Sequence, residues 1–136
     1  LLFNTWLMYY KLDINYFGPK NTPAAEPGLA RVDVLSEGKG CELAWENRHL
    51  SSPSAVPKVS LANGLVYLYT RDDSNPDDLH AWYFTAVDVS SGEVVYKQLA
   101  GVGWRYNNHY GAITISPEGA AYVGVIGGLV KLRDGG

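Results

Sequence analysis

Ser60-Leu61-Ala62-Asn63-Gly64-Leu65-Val66-Tyr67-Leu68 is answered 55 residues later by Ile115-Ser116-Pro117-Glu118-Gly119-Ala120-Ala121-Tyr122-Val123. Each copy reads as a strand, a two-residue turn ending in Gly and a second strand. Asn63-Gly64 is the pair a type I′ hairpin favours, because both central residues of that turn need positive φ.

A second pair keeps the same spacing. Leu29-Ala30-Arg31-Val32-Asp33-Val34 matches Phe84-Thr85-Ala86-Val87-Asp88-Val89, and a third copy starts at Leu129-Val130-Lys131-Leu132-Arg133-Asp134. The first two are followed by Ser/Gly turns, Ser36-Glu37-Gly38 and Ser91-Gly92, and then by strands carrying an aromatic, Trp45 or Tyr96. An Asp before such a turn accepts hydrogen bonds from turn amides, and Gly supplies the left-handed conformation. A repeat of this length is the mark of an array of supersecondary units.

The strands expected from this reading fall into three groups. The first is Leu2–Tyr10, Leu29–Leu35 and Cys41–Asn47; the second is Ala55–Leu61, Leu65–Thr70, Ala81–Val89 and Val94–Leu99; the third is Tyr110–Ile115, Ala120–Val125 and Leu129–Leu132. The opening segment also fits a helical stripe through Phe3, Trp6, Leu7, Tyr10, Ile14 and Phe17. Four-stranded units of this kind are the blades of a β-propeller. The expectation is one all-β unit over residues 1–136, a partial propeller of antiparallel blades at about 1–50, 53–100 and 101–136, with a compact β-sandwich as the alternative.

Ala86-Val87-Asp88-Val89-Ser90-Ser91-Gly92-Glu93-Val94-Val95-Tyr96 resembles the A-x-D-x-x-x-G-x-x-x-W repeat of the pyrroloquinoline-quinone-type propellers, with Tyr in place of Trp. Ser116 to Gly124, followed by Gly128-Leu129-Val130, is similar to their D-G-x-x-Y-V-G step. The resemblance covers about residues 29–134 and implies a propeller fold, with secretion to the periplasm or the cell exterior. The quinone enzymes of that superfamily set adjacent cysteines, a catalytic Asp and calcium-binding side chains around the cofactor. This chain has one Cys and no stretch matching those motifs, so no quinone is expected.

Closed rings have about four to eight blades, and two and a half leave unpaired edges that invite association. The expected partners are therefore further blades, partner chains or copies of the same chain, and the chain reads as a piece of something longer. Composition narrows the rest. Apolar residues make up 46% of 136 and charged residues 18%, which excludes a disordered chain. A net charge of −3 with no basic stripe argues against nucleic acid. No run is long enough for a membrane-spanning helix. Cys41 is alone and reads as a small buried hydrophobe on a strand.

Two segments carry candidate chemistry. Trp104-Arg105-Tyr106-Asn107-Asn108-His109-Tyr110 precedes a strand that enters the third group, where loops line the mouth of a propeller channel. Arg can clamp a carboxylate, Asn can orient hydroxyls, and the rings suit the apolar faces of sugars. The competing reading is a surface loop whose aromatics pack between blades. In the acidic loop, Asp73, Asn75 and Asp77 have a D-x-N-x-D spacing that presents alternate oxygens to Ca²⁺. Asp78 and Phe84 stand where a calcium hand needs Gly and Glu, so a solvated hairpin loop competes there too. The function expected is a non-catalytic propeller module binding a protein or carbohydrate, with a fragment of a propeller oxidoreductase, lyase or hydrolase as the alternative.

Overall fold

The computed structural model describes residues 2–4, 27–53, 55–72 and 80–134. It is all-β, with ten strands among the described residues: β1 (Leu2–Asn4), β2 (Leu29–Val34), β3 (Cys41–Asn47), β4 (Lys58–Ser60), β5 (Leu65–Asp72), β6 (Ala81–Asp88), β7 (Val94–Val102), β8 (Ile113–Ile115), β9 (Ala121–Val125) and β10 (Gly128–Leu132). Every pairing is antiparallel. Sheet 1 has the order β1-β2-β3, sheet 2 β4-β5-β6-β7 and sheet 3 β10-β9-β8, the three-four-three grouping read from the repeat. The expected strand beyond Asn4 and its helical alternative lie outside the described residues.

The sheets stack in three layers. On one face of sheet 2, Val66, Leu68 and Val87 pack with Leu29 and Leu50, and with Trp45 of sheet 1. On the other face Tyr69, Trp82 and Phe84 pack with Ile113, Ala121 and Val123 of sheet 3. Side chains alternate across a strand, so a strand covered on one side shows every second residue buried. In β5 and β6 the runs Leu68–Arg71 and Phe84–Val87 are instead buried without interruption. Among the described residues the central sheet is enclosed on both sides, whereas each outer sheet is covered on one.

One tie between layers recurs in the argument below. The turn after β6 is closed as the sequence suggests: Asp88 Oδ1 accepts from the amides of Ser90 (2.8 Å) and Ser91 (2.9 Å), and Gly92 has φ 75°. These amides hold the Asp88 carboxyl below the usual carboxylate range. Sheet 1 grips this turn. Trp45 Nε1 and Arg31 Nη1 both donate to Val89 O (2.9 and 3.0 Å), and Asn47 Nδ2 donates to Gly92 O (2.9 Å).

Four local expectations are corrected. Asn63-Gly64 does not form a two-residue turn: β4 ends at Ser60, Gly64 N donates to Ser60 O (3.0 Å), and positive φ falls on Gly64 and not on Asn63. The cause is tertiary, because Gly64 O accepts from Val89 N at 2.9 Å. The matching turn at 116–120 is likewise longer, closed by Ser116 N to Ala120 O (2.8 Å). Asp33 caps no turn in these contacts; Arg31 holds it through Nε (2.7 Å) and Nη2 (2.6 Å). Finally, β8 starts at Ile113 instead of Tyr110, because His109 and Tyr110 have φ 38° and 68°, which no strand accommodates.

Candidate functional site

The segment 103–111 crosses from β7 to β8 at one end of the stack. Trp104–Tyr106 forms a single 3-10 turn closed by Tyr106 N to Gly103 O (3.1 Å) and Asn107 N to Trp104 O (3.0 Å). Three neighbours fix it. Gly103 N donates to His80 O (2.8 Å), at the start of β6. The β9–β10 turn donates from Gly127 N to Arg105 O (2.8 Å) and from Ile126 N to Asn107 O (2.9 Å). From sheet 2, the Tyr69 hydroxyl donates to Tyr106 O at 2.9 Å. Burial, with Tyr106 nearby, raises the Tyr69 phenol well above its ordinary value, so it stays a donor.

The seven residues singled out in the sequence divide into two groups. Asn107 and Asn108 are buried. Asn107 Oδ1 accepts from His109 N (2.9 Å), and Asn108 Nδ2 donates to Gly111 O (2.6 Å). The Tyr106 ring lies flat against Gly101, so close that a Cβ there would sit 2.2 Å from its Cζ. These three hold the loop. Trp104, Arg105, His109 and Tyr110 are exposed, Trp104 at 51% and Tyr110 at 55%. The His109 and Tyr110 rings meet edge to face at 5.4 Å. The loop thus presents two flat rings, a guanidinium and an imidazole on a rigid base. It carries no carboxylate in a chain whose net charge is −3.

Left-handed backbone costs about 1–2 kcal/mol per non-glycine residue. His109 and Tyr110 take it in succession, held by the Asn107 and Asn108 bonds on either side. Strain of this size persists where surrounding structure over-determines it, and such places concentrate at binding and catalytic sites.

The other candidates fare differently. Asp73, Asn75 and Asp77 lie outside the described residues. Among the described residues no three His, Cys, Asp or Glu side chains come together as a metal site. The His80 carbonyl takes the Gly103 amide of this loop (2.8 Å), while the His49 amide donates to Asn47 Oδ1 (3.0 Å). Cys41 is free and lies on a strand as expected, but it is exposed and not buried, because it pairs with Val34 on the outward face of sheet 1. No helix among the described residues is long and apolar enough to cross a membrane.

A feature the sequence did not announce lies at the opposite end of the stack. A cleft of about 580 Å³ opens between sheets 2 and 3, with Tyr67, Phe84 and Tyr96 on one wall and Ile115, Leu132 and Asp134 on the other. The three rings are stacked in sequence, Tyr67 on Phe84 at 5.6 Å and Phe84 on Tyr96 at 6.4 Å. Tyr96 pairs with Ala86 as Trp45 pairs with Arg31, so the two aromatics are equivalent in the repeat. Burial, then Tyr67 and Asp134, push the Tyr96 phenol up. The larger Trp45 is covered by the Gly92 turn, while Tyr96 leaves open space.

No protein family matches the chain, and no solved structure does. An uncharacterized protein of Archaeoglobus fulgidus is 26% identical over 113 residues, which is 82% of this chain and 21% of that relative. The chain therefore spans about a fifth of the relative's length.

Proposed function

We propose that the chain is an arc of a β-propeller serving as a non-catalytic binding module, and that its 104–110 loop takes a carbohydrate. The observation that carries this reading is the loop itself: Trp104, Arg105, His109 and Tyr110 face outward from a base whose buried asparagines maintain two strained residues. The three-layer stack and the 55-residue repeat support the arc, because a two-layer sandwich encloses neither sheet on both faces whereas an inner blade is enclosed on both. The resemblance of 86–96 to the quinoprotein-like repeat fits that reading.

The chemistry follows from the side chains. Flat rings stack on the C–H face of a pyranose, and guanidinium and imidazole N–H groups donate to its hydroxyls. Hydrolysing a glycosidic bond takes a pair of carboxylates, and segment 103–111 has none. That composition supports binding over hydrolysis at this loop.

The test is titration with neutral oligosaccharides of the cellulose, xylan, mannan and chitin types, read by calorimetry and tryptophan fluorescence. The expected result is binding of at least one, lost in Trp104→Ala and in the Arg105→Ala/His109→Ala double variant, with Tm within about 1 °C of the parent. Binding that survives both variants, or no binding across the panel, would overturn the proposal.

A further inference from the structure

The repeat gives each sheet two unlike faces. One face donates: Leu29, Arg31, Trp45 and Asn47 of sheet 1 reach onto sheet 2, and Phe84 of sheet 2, 55 residues after Leu29, packs onto sheet 3. The other face receives: Val66, Leu68 and Val87 of sheet 2 take sheet 1, and Ala121 and Val123 of sheet 3, 55 residues after Val66 and Leu68, take sheet 2. Each internal contact joins a donating face to a receiving face.

The two outward faces of the stack are one of each kind. On sheet 1, Leu29 and Arg31 point inward, so alternation turns Val32 and Val34 outward, and the register carries Leu43 and Cys41 with them. Val32 and Val34 are the repeat equivalents of Val87 and Val89, so this is a receiving face. Val34 is 67% and Leu43 60% exposed. On sheet 3, Val123, Val130 and Leu132 point inward, which turns Tyr122, Leu129 and Lys131 outward. Tyr122 follows Tyr67 by 55 residues and Leu129 aligns with Phe84, so this is a donating face, with Leu129 66% exposed. Lys131 stands over the Tyr122 ring on it (5.4 Å).

We infer that the chain binds a second copy of itself head to tail, the outer face of sheet 3 in one copy seated on the outer face of sheet 1 in the next. The contact repeats between copies the packing that joins sheets within one. It is heterologous, and it ends in a ring if the rotation closes; two copies supply six sheets, inside the range of closed propellers. The inference rests on the arc reading.

Native mass spectrometry and light scattering between 1 and 200 μM test it. The parent chain is expected at twice 14.9 kDa. Leu129→Arg alone, and Val34→Arg/Leu43→Arg alone, are each expected to associate at least 100-fold more weakly. Mixing the two variants restores a dimer through the one intact contact, which only a head-to-tail arrangement does. A parent that stays monomeric to 200 μM overturns the inference, as does one variant remaining dimeric while the other does not, the signature of a face pairing with its own kind. Hydrogen exchange of β5 and β6 amides in the monomeric variants reads the three-layer stack separately: protection with no association sinks the assembly and leaves the arc standing, while loss of protection sinks both.

Discussion

The indole N–H of Trp45 donates to the carbonyl oxygen of Val89 across 44 positions of sequence, at 2.9 Å. It ties the outer strand of sheet 1 to the turn that ends β6. Trp45→Phe keeps a ring in place and removes the donor, while Arg31 still serves the same carbonyl. The expected loss is about 1 kcal/mol, the net worth of one hydrogen bond, measured as a lower midpoint in urea with an unchanged slope.

Gly92 roofs that ring. A Cβ at position 92 would lie 2.4 Å from Trp45 Cε3, and its φ of 75° already disfavours a side chain. Gly92→Ala should therefore cost more than Trp45→Phe, about 2–4 kcal/mol from left-handed strain and overpacking together. Thermal melts of the two variants side by side check the ranking.

Stability should fall in acid partly through Asp88. Its carboxyl is held below the ordinary range chiefly by the Ser91 and Ser90 amides. A folded value lower than the unfolded one of about 3.9 means stability that is fully present above pH 4 to 5 and lost as pH drops through the folded value. Asp33, bonded by Arg31, and Glu118, bonded by Ser116, act in the same direction. Asp88→Asn should flatten, without abolishing, the decline of Tm between pH 5 and 2.

Tyr110→Gly separates strain from folding need. Relief of the 68° φ, less the entropy glycine loses on folding, should leave the protein equally stable or more stable by up to about 1 kcal/mol. The same variant should bind the loop's oligosaccharide at least tenfold more weakly. A stabilised, binding-deficient protein is the expected pair of readings from melts and calorimetry.

Gly101→Ala probes the base of the loop from below. The added methyl meets the Tyr106 ring, whose backbone carbonyl receives the Tyr69 hydroxyl. Faster hydrogen exchange at Ile126 and Gly127, whose amides close onto Asn107 and Arg105, is expected along with a loss of about 1–3 kcal/mol.

Strand positions were legible because turn residues and a 55-residue echo pointed the same way, and the Asp88 turn formed as its residues indicate. The Asn63-Gly64 turn was not, because a bond from Val89, far along the chain, outweighs the local preference for a tight hairpin. The candidate loop was visible as a cluster of side-chain types. Which of its members face solvent was not, since that is decided by Tyr69 of β5, Gly101 of β7 and the turn at 126–127. Nor did the sequence show that β7 would run on to Val102, past irregularities beside Trp82 and Val87 that let one strand bend across the whole sheet.

The enclosure of sheet 2 on both faces also sets an order of events. In a stack where each layer touches only its neighbours, stability is a sum of nearest-neighbour couplings. The middle layer has two of them and each end layer one. Heating should thus peel the chain from its flanks, with β5 and β6 the last to exchange and, on the return, the nucleus on which the flanking layers reassemble.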